Sequence, residues 1–532
     1  MRTRTGPQFS RRALLRTGAS AAALAAIAPF AVPAPPSGPA GDDPQFRTDN
    51  APLLKAYRGA IDCLEKNTVK VFEYPEPVLI EGSVYRGVWL ECAPQESQVY
   101  SAWHPAVGHA THRIFFETQR DDGYIYCNTK LDTRGTGQIQ MVVPIAATAF
   151  ELFQRFGDAK FLELAYRACS RWDHWLVKYR NTRGTGLCEG FCEYDTGHDH
   201  SPRWNGIPKQ CPDRDARKAP AAPGIPRLCP DLSATVYGGR VALAGMARAM
   251  HKRAEADRWQ EGAEAIRRLI LEKLYDPADG AFYDLDAGNK FVRIRSDVIS
   301  RVLGEHVVEQ KQFSEIYEKQ IHNPKAFWAP YPLPSIALDD PAFARPIPRN
   351  SWGGATQALT ALRAPRWMEH YRRPADLAHM MQQWSKAIVA AGGLLAQQMD
   401  PLNGKFSTED PGGYSPAALV MLDYTWRLYG VRKAANSLEW NCRRPPDSEA
   451  SVFSIRTPEG LAVLEHTPNE SVLKLGGKTL LRAAGTIRVV TNSRGRITHL
   501  VGIHDAPAEA RLTWPSRAPL LKRVQPNQTV AL

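Results

Sequence analysis

The run Glu193-Tyr194-Asp195-Thr196-Gly197-His198-Asp199-His200-Ser201-Pro202-Arg203-Trp204 places three carboxylates, two histidines, an arginine and a tryptophan within twelve residues. A solvated turn accommodates Asp and Gly but has little use for Arg and Trp together. A carbohydrate site uses this mixture. A flat indole packs on the apolar face of a pyranose, carboxylates and a guanidinium bond hydroxyls, and one carboxylic acid protonates a leaving oxygen. On this reading Glu193, Asp195, Arg203 and Trp204 contact substrate. The alternative is a structural loop, with or without a bound cation. Trp352 and Trp89 are further candidate sugar platforms, with core packing the competing role for each indole.

These residues need a frame. Apolar residues recur at helical spacing over Ala146–Phe156, Asp158–Tyr179, Val236–Met250, Trp259–Tyr275, Gln357–Leu362, Ala375–Ala391 and Ala417–Leu428. Long Gly/Pro-rich loops separate them, notably Asn181–Pro230 and Asn323–Asn350, and loops of that length in a compact domain are usually functional. No short period repeats, which disfavours an open solenoid. The pattern fits a mainly α protein, a toroid of paired helices with its long loops at one mouth. After about residue 435 short β-rich runs take over (Val452–Ile455, Leu461–Leu464, Ser471–Leu475, Ile487–Val490, Ile497–Ile503), separated by turn residues. They read as a small β-sandwich over 436–532. A hairpin is expected near Val69–Tyr85.

The N-terminus reads as an address. Arg11-Arg12 precede an Ala-rich apolar stretch, with small residues near Ala34. This is the pattern of a secretory signal, and paired arginines resemble the twin-arginine type. Residues 1–34 are read as that signal and 35–50 as a linker, which implies the twin-arginine export machinery as a partner and a periplasmic or secreted product. Of the net charge of +12, Arg2, Arg4, Arg11, Arg12 and Arg16 supply five positive charges ahead of any acid. The remaining basic residues are scattered, which disfavours nucleic-acid binding, and no run after the signal is long enough to span a membrane.

Nine cysteines leave at least one without an intrachain partner. Four fall between Cys188 and Cys229, where local disulfides, free thiols and a metal site all remain open. His104, His109 and His112 match no recognised metal spacing. There is no phosphate loop, dinucleotide fingerprint or Gly-x-Ser-x-Gly elbow, so no cofactor is expected.

The run from Glu193 to Trp204 resembles the acid loop of glycoside hydrolase family 63 and its mannosylglycerate-hydrolase-like and trehalase-like relatives, the six-hairpin glycosidases. Cys229-Pro230-Asp231-Leu232-Ser233, Ser351-Trp352-Gly353-Gly354-Ala355, Asp400-Pro401-Leu402-Asn403-Gly404 and Gly413-Tyr414-Ser415-Pro416 resemble further elements of that family. The resemblance implies an (α/α)6 barrel over 51–435, a glycosidase acting on an oligosaccharide or glycoside, Asp199 as general acid, and Asp231 beside the substrate. One departure stands out. Where the relatives carry a general-base Glu, just before the Asp-Pro element, this chain has Gln397 and Gln398, and an amide does not accept a proton at neutral pH. Glu409 is the first expected substitute and Glu369 the second, with Gln397 orienting water. Two other readings compete with inverting hydrolysis: a polysaccharide lyase built on Tyr194, His198 and Arg203, and a non-catalytic carbohydrate-binding protein.

Overall fold

The computed structural model describes residues 44–532, apart from Thr408, Ala435 and Ser516. The expected signal and the first part of the expected linker lie outside the described residues. The protein is mainly helical up to Tyr429. Its α-helices are α1 (Ala51–Lys66), α2 (Ala93–Tyr100), α3 (Pro105–Glu117), α4 (Ile145–Phe156), α5 (Ala159–Tyr179), α6 (Pro230–Ala249), α7 (Arg253–Lys273), α8 (Val298–Gly304), α9 (Gln310–Ile316), α10 (Ala358–His370), α11 (Pro374–Ala390) and α12 (Ser415–Tyr429). Local chemistry marks several ends. The Asp158 carboxylate caps the amides of Lys160 and Phe161 at the start of α5. Gly157 ends α4 in the left-handed conformation at φ 74°.

Burial sorts the helices into two kinds. In α12 every residue except Arg427 is buried, as expected of a helix with neighbours on all sides. In α7 only Ala256, Ala263, Ile266 and Ile270 are buried, a single stripe facing inward. The contacts follow the same division. α2, α4, α6, α8, α10 and α12 each pack on the next, and α12 packs back on α2. α1, α3, α5, α7 and α11 lie against that set.

The C-terminal strands form two antiparallel sheets. One has the order 45–48, 451–457, 460–466, 471–475, 478–484, 508–514 and 517–524; the other runs 431–434, 437–442, 487–492, 497–502 and 529–531. Gln45–Thr48 pairs with Ser451–Ser454. The last residues of the expected linker are therefore an edge strand of the C-terminal sheet. The expected hairpin exists as Thr68–Val69 against Val78–Leu79.

Glu369 belongs to this architecture and not to the loops. It sits near the end of α10 and accepts two bonds from Arg488 at 2.8 and 2.9 Å, with Arg432 at 3.4 Å and Arg427 at 3.8 Å. Burial opposes its charge, but Arg488 and Arg432 hold its pKa down to about 2. The pair thus stabilises the fold above the ordinary carboxylate range, and the contribution fades as the pH falls toward 2. Glu369→Gln should cost about 2–3 kcal/mol, since it leaves a cluster of arginines short of its counter-ion. A lowered Tm with unchanged kcat/KM would bear this out; a loss of turnover without a change in Tm would refute it.

Candidate active site

One cavity brings the loops together. It is lined by Glu81, Tyr85, Trp89, Glu91, Asn128, Gln138, Gln140, Tyr194, Gly197, Asp199, Gln210, Asn350, Trp352, Leu359, Gln397 and Tyr414. All but Leu359 lie on segments that run from an odd-numbered helix to the even-numbered helix after it. The long loops therefore meet at one end of the helical array.

Asp199 is held from several sides. Its backbone carbonyl accepts from the Trp352 amide at 3.0 Å. Its carboxylate Oδ2 accepts from Asn350 Nδ2 at 2.7 Å. Asn350 Oδ1 accepts from Gln397 Nε2 at 2.9 Å, and Gln397 Oε1 accepts from the Tyr85 hydroxyl at 3.0 Å. Burial pushes the pKa of Asp199 up to about 6; the Asn350 amide works against this, Glu193 adds to it, and His200 and Lys209 oppose it.

Gln397, not Gln398, faces the cavity. Gln398 is fully buried and braces the backbone, accepting from the amides of Ser351 at 2.8 Å and Gln357 at 3.1 Å. Glu409 is exposed and does not line the cavity. Its neighbour Asp410 turns inward instead, to accept from the Gln397 backbone amide at 2.8 Å. The expected replacement base is thus absent from the place the sequence suggested.

Two other carboxyls line the cavity, Glu81 and Glu91. Gly197 adopts φ 63°, and a Cβ on it would lie 2.4 Å from the Glu91 carboxyl carbon. Glu91 therefore abuts the acid loop two residues before Asp199. Burial raises Glu91 to about 7; the Arg363 guanidinium opposes this, Asp199 adds to it, and Arg301 and the Gln140 amide favour the charged form. Gln140 Nε2 donates to Glu91 Oε2 at 3.1 Å. Glu81 is pushed well above the carboxylate range by burial and by the charges of Glu91 and Glu96, with only the Tyr414 hydroxyl, 2.8 Å away, favouring its ionised form.

A family model described as the mannosylglycerate hydrolase MGH1-like glycoside hydrolase domain matches residues 100–426. The chain belongs to this family. It is a glycosidase related to glycoside hydrolase family 63, with the six-hairpin fold of that group. Among solved structures it is similar to a GH63 mannosylglycerate hydrolase from Thermus thermophilus in complex with glucose. That match has 16% identity and a TM-score of 0.57 and covers 70% of this chain and 99% of that one. It is also similar to a neutral trehalase from Saccharomyces cerevisiae (15%, TM-score 0.51, 65% and 73% covered). An alpha-L-rhamnosidase from Dictyoglumus thermophilum matches at 10% identity and TM-score 0.54, covering 91% of this chain and 49% of that one. No curated protein matches the sequence.

Several residues expected at the substrate of this family member sit behind the cavity wall instead. Arg203 uses all of its donors on protein: Asp231 at 2.7 and 2.7 Å, Asp284 at 2.6 and 2.6 Å, and His198 Nδ1 at 2.9 Å. Asp231 is held at about 2; burial opposes this, and Arg203 and Arg301 outweigh it. His198 accepts from Arg203 at Nδ1, so its Nε2–H donates to Asp297 at 2.7 Å. Burial and Arg301 lower its pKa to about 4, and the ring stays neutral. Trp204 is 1% exposed and lies beneath the Arg227 guanidinium at 4.9 Å. Asp195 bonds Arg180 and the amides of Ile139, Phe191 and Cys192. Glu193 is buried and accepts from the His200 amide at 2.7 Å. A buried charge needs partners as much as a sugar hydroxyl does, so the same residue types serve a packed ion network here. Trp89 and Trp352 do line the cavity. Lys130 Nζ lies over the Trp89 ring at 5.3 Å, and Trp352 meets the His198 ring edge at 4.9 Å.

Proposed function

We propose that this glycosidase hydrolyses an O-glycosidic bond with inversion, Asp199 protonating the departing oxygen and Glu91 taking a proton from the attacking water. The observation that carries this reading is the shared cavity: Asp199, Glu91 and the Gln397 amide line one space. Glu91 is preferred to Glu81 because Arg363, Arg301 and Gln140 favour its ionised form, whereas Glu81 faces mainly other carboxyls. Gln397, bonded to Tyr85 and Asn350, positions without exchanging a proton. Trp89 offers an aromatic surface to the sugar. The ring of contacts through α2, α4, α6, α8, α10 and α12 supports an (α/α)6 toroid over 51–435. We read the two C-terminal sheets over 436–532 as a β-sandwich that caps it. Export through the twin-arginine machinery to the periplasm or beyond rests on residues 1–34 alone. No helix among the described residues is long and apolar enough to cross a membrane.

Asp199 and Glu91 titrate as a pair. With one proton between them, the reactive arrangement carries it on Asp199. The leaving oxygen accepts from a carboxylic acid and the attacking water donates to a carboxylate, so bound substrate favours that arrangement. The one-proton pair is the active form, so turnover should rise as the pH increases through about 6 and fall as it increases through about 7. Asn350→Ala removes the amide that stabilises the charged Asp199. The acidic limb of kcat/KM should move to higher pH, and a limb that stays in place would separate it from Asp199.

The test of the function is a panel of glycosides with the product followed by proton NMR. The first-formed sugar should have the anomeric configuration opposite to that of the substrate. Retention would overturn inversion. An unsaturated product absorbing in the ultraviolet would point to a lyase, and saturable binding without turnover to a binding protein.

A further inference from the structure

Cys192 and Cys211 bracket the loop that carries Asp199, and both are buried. Their sulfurs lie 3.8 Å apart, across nineteen residues of chain. The backbone holds the two ends together independently of the sulfurs. The amides of Glu193 and Tyr194 donate to the carbonyls of Pro208 and Lys209 at 3.0 and 3.1 Å. The Cys211 amide donates to the Gly137 carbonyl at 2.8 Å, and that same carbonyl lies 3.9 Å from Cys192 Sγ. With Phe191, the two cysteines form a small apolar cluster apart from the main core. A bond of about 2.05 Å between the sulfurs closes a gap that is already 3.8 Å.

Asp195 lies beside both thiols, and the three form a candidate metal-ligand group. The carboxylate is already committed. It accepts from Arg180 and from the amides of Ile139, Phe191 and Cys192, which use up its roughly four lone-pair positions. The Arg180 guanidinium also reaches Cys211 Sγ at 3.6 Å. A cation would have to displace this arginine, whereas a covalent S–S link displaces nothing.

We propose that Cys192 and Cys211 form a disulfide that ties off the neck of the loop carrying Asp199. The oxidant is a small or protein-borne disulfide. One cysteine thiolate displaces a thiol from the donor to give a mixed disulfide. The second cysteine thiolate displaces the remaining donor thiol. Two protein thiols and one donor disulfide become one protein disulfide and two donor thiols, with each cysteine proton passing to a released thiol. Because both sulfurs are buried, exchange takes place while the loop is open, during folding. The linkage keeps Asp195 under Arg180 and fixes the chain three residues before Asp195 and seven before Asp199. This inference does not depend on which carboxyl acts as base.

The test is a peptide map of the full chain refolded in a glutathione redox buffer, alkylated in denaturant and digested without reduction. The expected result is a linked pair of peptides containing Cys192 and Cys211. Recovery of both residues alkylated, or linked to other cysteines, would overturn the proposal. Hydrogen–deuterium exchange supplies a readout independent of catalysis. Peptides covering 191–211 should exchange several-fold more slowly in the oxidised protein than after dithiothreitol, and equal exchange would refute the claim that the bond restrains the loop.

Discussion

Asp199→Asn should lower kcat/KM for an unactivated glycoside by about 10³- to 10⁴-fold, the upper range for a general acid. The exchange keeps the shape of the side chain, and an oxygen still meets the Asn350 amide, so the loop should hold its position. The deciding comparison is between leaving groups. A dinitrophenolate departs without protonation. For a dinitrophenyl glycoside the loss should therefore shrink to about tenfold, because the missing step was not needed. An equal loss on both substrates would mean that Asp199 binds or positions substrate and does not donate a proton. Unchanged activity on both would remove it from the reaction.

Glu91→Gln should cost about 10³-fold in kcat on every substrate, whatever its leaving group, because water activation is common to all. Gln matches Glu in volume, which matters where Gly197 leaves no room for rearrangement. Azide needs no base to attack the anomeric carbon. It should restore much of the rate to Glu91→Gln and give a glycosyl azide of inverted configuration, but should do little for Asp199→Asn on an unactivated substrate. If Glu91→Gln retains wild-type turnover, the base is another group. The variant Glu81→Gln, made alongside, then shows whether that group is Glu81.

The parts of the site that can be read from the sequence are those whose chemistry is local. Asp199 stands out because its loop is one short run of dense polar residues, and the helices stand out because a stripe such as that of α7 repeats every turn. Three things resist such reading. The first is the use to which a polar residue is put. Arg203, Asp231 and Trp204 have the composition of a sugar site, yet Arg203 spends every donor on two aspartates and a histidine. Nothing along the chain reveals that saturation. The second is distance. Glu81 and Glu91 come from the segment between α1 and α2, more than a hundred residues before Asp199, and only the packing of the helices brings them to it. Trp89 is the one visible marker for Glu91, since a tryptophan read as a platform implies a nearby polar group. The third is orientation. Glu409 and Asp410 are adjacent and chemically alike, but a turn exposes the first and points the second at the Gln397 amide. The C-terminal strands 437–442, 478–484 and 508–514 carry Arg, Lys or Glu between their apolar residues. That alternation is a weaker signal than the shorter, more apolar runs beside it.

The chain of contacts from Tyr85 through Gln397 and Asn350 to Asp199 has a consequence for the whole catalytic cycle. Primary amides pass on orientation but not protons, so this side of the cavity is an insulator. On the proposed assignment each turnover leaves Asp199 charged and the extra proton on Glu91, with no wired route home through Tyr85. That proton must cross by way of water entering the vacated sugar site. Recharging the acid is then tied to product departure, and the enzyme is reset by solvent and not by its own scaffold.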